Sequence, residues 1–211
     1  MLKIFLLIYL VLFYGLAFFW RSYRTWRATG VNPYRLTDQT GLAHFVSRIY
    51  SLVSVGVVVV ILLFSLAPTA WYGYLAPISW LENGMITDVG AILLLLALIW
   101  VLIAQIHMGS SWRIGIDTEN ETALITDGLF RLSRNPIFLG MRVNLFGLFL
   151  VLPNALTLLL RLLGDVSIQI QVFLEEDHLR QQHGTAYEQY CTRTPRYFGL
   201  PKTMPPDTTY Q

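Results

Sequence analysis

The sequence predicts an all-α protein: an integral membrane bundle of about five transmembrane helices. Three observations lead there. Of 211 residues, 55% are hydrophobic and only 13% are charged, whereas a soluble domain carries roughly 25% charged residues. Apolar runs recur at the length, about 20 residues, that a helix needs to cross the hydrocarbon layer. Basic residues gather after alternate runs, the pattern that fixes orientation in a membrane.

The first run is Leu2 to Trp20. Only Lys3 precedes it and no small-x-small cleavage site stands before "FFWRSYRTWR", so it reads as a retained helix, not a cleaved signal. Phe45 to Ala67 is the second run and Ile86 to Met108 the third. Ile137 to Leu152 is a shorter fourth, broken by Pro153–Asn154, and Ala155 to Leu174 is the fifth. A Pro-Asn pair between apolar runs signals a tight turn. One kinked helix over both runs would exceed 35 residues, too long for one crossing, so helices 4 and 5 form a hairpin. Gly184 ends or interrupts the helix that leaves the membrane after run 5, and Pro195 stops any helix beyond it. The whole of 1–211 is one membrane domain: 1–121 with three helices, 122–198 with the hairpin and tail, and 199–211 as an extension.

Arg21, Arg24, Arg27 and Arg35 follow helix 1; Arg113, Arg131 and Arg134 follow helix 3; Arg180, Arg193, Arg196 and Lys202 lie in the tail. The segment 68–85 and the helix 4–5 turn hold no Lys or Arg. Positive charge resists translocation, so the N-terminus is expected outside and the C-terminus cytoplasmic, with "WYGYLAPISW" as an outer aromatic belt.

Several chemistries lack their signature. There is no G-x-G-x-x-G, P-loop, H-E-x-x-H or G-x-S-x-G pattern. Cys191 is the only cysteine, which excludes an intramolecular disulfide and a multi-Cys metal site. His178 and His183 are five apart, on different helix faces, and no metal is expected. The net charge of +2 gives no support for a nucleic-acid partner.

Two polar clusters remain. In "TALITDGLFRLSRNPIFLGM", Pro136 suits the first turn of a helix and Asn135 its cap. Arg134 can anchor the inner boundary. Arg142 lies six residues beyond Pro136, roughly 9 Å along a helix; it either snorkels to the interface or faces a polar cavity or partner. In "LEEDHLRQQHGTAYEQY", Glu175 and Glu176 stand where helix 5 leaves the membrane, as a cation or ammonium site or as a solvated helix face. Together the clusters suggest a hydrophilic chamber under an apolar roof, where a water-soluble cofactor could meet a lipophilic substrate.

These two stretches in this order resemble the isoprenylcysteine carboxyl methyltransferase family and its phospholipid-methyltransferase relatives. That family carries a pattern like L-V-x-x-G-x-Y-x-x-x-R-H-P-x-Y, a hydrophobic hairpin, then E-E-x-x-L-x-x-x-F-G-x-x-Y-x-x-Y. Glu175, Glu176, Leu179, Gly184, Tyr187 and Tyr190 fall in place, and the resemblance covers Thr122 to Tyr197. It implies an S-adenosylmethionine-dependent methyltransferase without a Rossmann domain. Leu124, Ile125, Phe130, Asn135, Pro136, Ile137, Phe138 and Glu175 become cofactor-contact candidates, supported by Arg134. Glu176 is the candidate proton acceptor and Arg142 the candidate on the substrate side. The expected partners are a lipophilic or lipidated methyl acceptor and membrane lipid.

The chain departs from the pattern at Asn135 for His, at Phe138 and Phe130 for Tyr, and at Gln171 for the Arg that contacts substrate in eukaryotic members. The acceptor is therefore a carboxylate, thiol or amine, with isoprenylcysteine-carboxylate-like O-methylation in the lead. Two alternatives stay open: an NADPH-dependent, sterol-reductase-like oxidoreductase, which would need a basic pocket for the 2′-phosphate, and a non-enzymatic membrane protein.

Overall fold

The computed structural model describes residues 1–30, 32–33, 41–112 and 123–199. Arg35, Arg113, Thr122, Lys202 and the extension after Gly199 lie outside the described residues. The described residues form helices in the order expected: α1 (Leu2–Leu12), a π-helical stretch Phe13–Trp20, α2 (Arg21–Thr29), α3 (Gly41–Leu66), a short α4 (Thr69–Gly73), α5 (Gly84–Met108), α6 (Pro136–Val151), α7 (Ala155–His183) and α8 (Thr185–Arg193).

The continuous rod Leu2–Thr29 and helices α3, α5 and α7 are long and apolar enough to cross a membrane; α6 is apolar but has 16 residues. The apolar run of helix 1 stops at Trp20, yet the helix continues to Thr29, where Gly30 takes the left-handed conformation at φ 70°. The apolar run marks the part suited to hydrocarbon, while the helix itself persists until a residue that can close it. Likewise α5 starts at Gly84, where Asn83 accepts from the Ile86 N–H at 3.0 Å.

The hairpin is built by local chemistry at its tip. Asn154 is fully buried and caps α7: its side chain accepts from the Thr157 N–H at 3.0 Å, and Thr157 Oγ1 accepts from the Asn154 N–H at 3.3 Å. The tip is sewn to the segment after α4, with Ile78 N–H donating to Pro153 O at 2.8 Å and Ala155 N–H to Leu75 and Ala76 O at 3.1 Å.

α6 packs most closely on α5. A Cβ on Gly90 would lie 2.8 Å from the Gly147 carbonyl oxygen, so small residues let the two backbones touch. Leu6, Tyr9, Val57, Val60, Leu94, Leu148 and Ile168 fill the core between α1, α3, α5, α6 and α7. Within it Tyr9 Oη donates to Leu94 O at 3.1 Å and also to Asn144 Oδ1, which accounts for a buried amide in an apolar helix.

The lengths of the two arms position the site. At 1.5 Å per residue α6 spans about 24 Å, less than the ~30 Å hydrocarbon layer, whereas the 29 residues of α7 span about 44 Å. With the arms joined at the tip, the start of α6 lies below the far end of α7. The acidic part of α7 thereby stands beside the start of α6.

Candidate functional site

The loop entering α6 is fixed from two sides. Gly128 has φ 62°, and a Cβ there would strike the His107 ring at 2.5 Å. The next residue, Leu129, donates its N–H to His107 Nδ1 at 3.1 Å. His107 is thus an anchor for this loop. From the other side Tyr190 Oη of α8 donates to Phe130 O at 2.6 Å. Burial pushes the Tyr190 hydroxyl well above its ordinary titration range, so it stays a donor.

The loop then delivers Arg134 and Asn135 to Glu176. Pro136 occupies the first position of α6 as expected, and Asn135 is the cap residue, but its side chain makes no capping hydrogen bond. Instead Asn135 Nδ2 donates to Glu176 Oε1 at 3.0 Å and to Arg196 O at 3.1 Å. A charged acceptor makes a stronger hydrogen bond than an orphan helix N–H offers. Arg134 Nη2 reaches Glu176 Oε1 at 3.2 Å, and Arg196 donates from Nε at 3.1 Å to both carboxylate oxygens and from Nη2 at 2.8 Å to Oε2. Glu176 is 2% exposed. Its hydrogen bond to Arg196 raises that guanidinium's pKa, so the pair is fully charged.

The segment after α8 is strapped across the same place. Arg134 donates its N–H to Pro195 O at 3.0 Å and its Nη1 to Thr194 O at 2.9 Å and Cys191 O at 3.2 Å. Ser133 Oγ donates to Arg196 O at 3.3 Å. The pre-hairpin loop, the acidic exit of α7 and the tail are therefore one polar knot.

Glu175 stands apart from it. One residue along α7 is a turn of about 100°, and its carboxylate is half-buried with one long hydrogen bond, from Gln171 Nε2 at 3.5 Å. Gln171 is buried against it. Leu124 and Ile125 lie in the segment leading to Gly128, and Ile137 and Phe138 in the first turn of α6; all four are half-buried apolar side chains. Phe130 and Pro136 are buried, and Pro136 O accepts from Trp100 Nε1 at 2.8 Å.

Arg142 is not in this knot. Its Nε donates to Asp165 Oδ1 at 2.5 Å, its guanidinium lies 4.6 Å from the Tyr197 ring centroid, and Asp165 also pairs with Arg161 at 2.8 Å. Sequence reasoning missed Asp165 and Arg161, although an ionisable residue in an apolar run is itself a signal. It admits Arg196 only as a spare charge, since no local pattern pairs it with Glu176, 20 residues away. Among the described residues no three His, Cys, Asp or Glu side chains converge on a metal-sized site.

Comparison with curated proteins gives no match, and comparison with solved structures gives none. A family model does match, and it covers α5, the loop, both arms of the hairpin and the start of α8. Residues 86–186 match the phospholipid methyltransferase family model.

Proposed function

We propose that the protein transfers a methyl group from S-adenosylmethionine to a lipophilic acceptor at the cytoplasmic face of the membrane. The observation that carries this reading is the contact between Asn135 and Glu176 at 3.0 Å, which draws the loop and the acidic exit together, with the half-buried carboxylate of Glu175 beside them. The orientation is supported by the gathering of Arg21, Arg24, Arg27, Arg131, Arg134, Arg180, Arg193 and Arg196 at one end of the bundle.

The residues fit the cofactor in kind. Glu175 has free acceptor capacity for an amino group or a ribose hydroxyl, and Leu124, Ile125, Ile137 and Phe138 offer apolar surface for a base. Glu176 has its acceptors engaged by Arg134, Asn135 and Arg196, so its part is to hold the loop and the tail in place and not to take a proton. When bound, S-adenosylmethionine supplies an already activated sulfonium methyl. The chain's contribution is to hold donor and acceptor together, which supplies much of such a rate. The acceptor's class stays as read from sequence: a lipophilic carboxylate, thiol or amine.

The test is label transfer. Purified protein given methyl-labelled S-adenosylmethionine and a membrane lipid extract should move label into an organic-soluble product, and Glu175→Ala should reduce the initial rate at least about tenfold. Folded protein that moves no label into lipid extracts or into prenylated thiols and carboxylates contradicts the reading.

A further inference from the structure

The hairpin carries two Arg–carboxylate–Arg groups, and they are satisfied differently. In Arg134–Glu176–Arg196 both carboxylate oxygens are used, and spare guanidinium donors reach the carbonyls of Cys191 and Thr194. In Arg142–Asp165–Arg161 both arginines converge on one oxygen, Oδ1, at 2.5 and 2.8 Å. Among the described residues no hydrogen-bond acceptor other than Asp165 Oδ1 takes a side-chain donor of either arginine. Two cations and one anion leave one positive charge in excess. Excess charge in apolar surroundings calls for a second anion.

The group is built to receive one. Tyr197 stacks on the Arg142 guanidinium, and the Phe146 ring lies 5.9 Å from that of Arg161, holding the two forks in place. The Tyr197 hydroxyl donates to Gln169 Oε1 at 2.7 Å, so the polar tail reaches this depth. The side chains of Arg142, Arg161 and Asp165 are 21%, 25% and 30% exposed. Around them the surface is apolar and uncovered: Phe146, Leu158, Leu162 and Val166 are all exposed. An anion arriving here comes attached to an acyl or isoprenoid chain.

We propose that Arg142 and Arg161, spaced by Asp165, form a binding site for the phosphate or carboxylate group of an anionic membrane amphiphile. Guanidinium forks match both oxyanions bidentately, and the exposed apolar stripe takes the chain. The site rests on the charge and geometry of these residues and stands whether or not the protein transfers methyl groups.

The experiment is a thermal-melting and native mass-spectrometric titration of the full-length protein in detergent, with dioleoyl phosphatidic acid, dioleoyl phosphatidylcholine and inorganic phosphate as probes. Phosphatidic acid should bind wild type at least about tenfold more tightly than phosphatidylcholine and raise its Tm, as a ligand of the native state must. Arg161→Gln should lose that preference and Arg161→Lys should recover part of it, while Arg24→Gln, on the exposed face of α2, should leave it intact. Asp165→Asn separates a binding site from a structural bridge, and it serves equally if Arg161→Gln fails to fold. With the internal anion removed, phosphatidic acid should raise the Tm of Asp165→Asn by more than it raises that of wild type. No preference over phosphatidylcholine, an Arg161→Gln protein that binds like wild type, or an Asp165→Asn protein left unrescued would each overturn the proposal. Inorganic phosphate binding as tightly as phosphatidic acid would overturn the amphiphile in favour of a free anion.

Discussion

At the scale of single residues, adjacent glutamates have opposite duties. Glu176 is buried and held by two guanidinium groups and an amide, and removing one member of such a group leaves a charge unpaired at a cost of about 3–5 kcal/mol. Glu176→Ala strands Arg134 and Arg196 together. We expect it to lower unfolding stability by about 3 kcal/mol or more, measured by denaturant titration in detergent. Glu175→Gln keeps the size of a half-buried side chain with one long contact and should leave that stability within about 0.5 kcal/mol of wild type. Asn135→Leu should fall between them, since it removes a donor to both Glu176 and the Arg196 carbonyl while keeping the side chain's size. The sequence shows the glutamate pair but not its division of labour, because that depends on Arg196 arriving from beyond α8.

At the scale of elements, close packing and caps decide the geometry. Gly90 and Gly147 allow α5 and α6 to touch; Gly90→Ala places a methyl group 2.8 Å from a backbone oxygen and should cost about 1–3 kcal/mol. Gly15, with nothing within 4 Å of a built Cβ, should tolerate Ala or gain from it, since Gly costs ~1 kcal/mol in a helix. The same unfolding measurement distinguishes the two. Asn154→Ala should lose about 1 kcal/mol with the cap at the hairpin tip. The elements are the most legible part of the sequence. Pro153–Asn154, Pro136, Gly184 and Pro195 act through local backbone chemistry, which depends on near neighbours alone. Long-range partners stay hidden: Tyr9 for Asn144, His107 for the loop at Leu129, Asp165 for Arg142. Only Arg161 and Asp165 carry a readable signal, two opposite charges four residues apart inside an apolar run.

At the scale of the whole molecule, a short arm and a long arm joined at one tip bring a polar knot together at one end of the bundle. Its parts come from four places: the end of α5 through His107, the loop at 123–135, the end of α7, and the tail strap at 194–197. The proposed orientation predicts that a reporter fused after Gln211 is cytoplasmic, and activity of a reporter confined to the opposite side would reverse the assignment. The central claim is that this end of the bundle binds S-adenosylmethionine through Glu175 while Glu176 holds the loop and the tail in place. Calorimetric titration of S-adenosylhomocysteine into folded wild type and Glu175→Gln tests it most directly. Wild type should bind, and Glu175→Gln should bind at least about tenfold more weakly at an unchanged Tm. No heat from a folded wild-type protein, or equal affinity in the two, would contradict it.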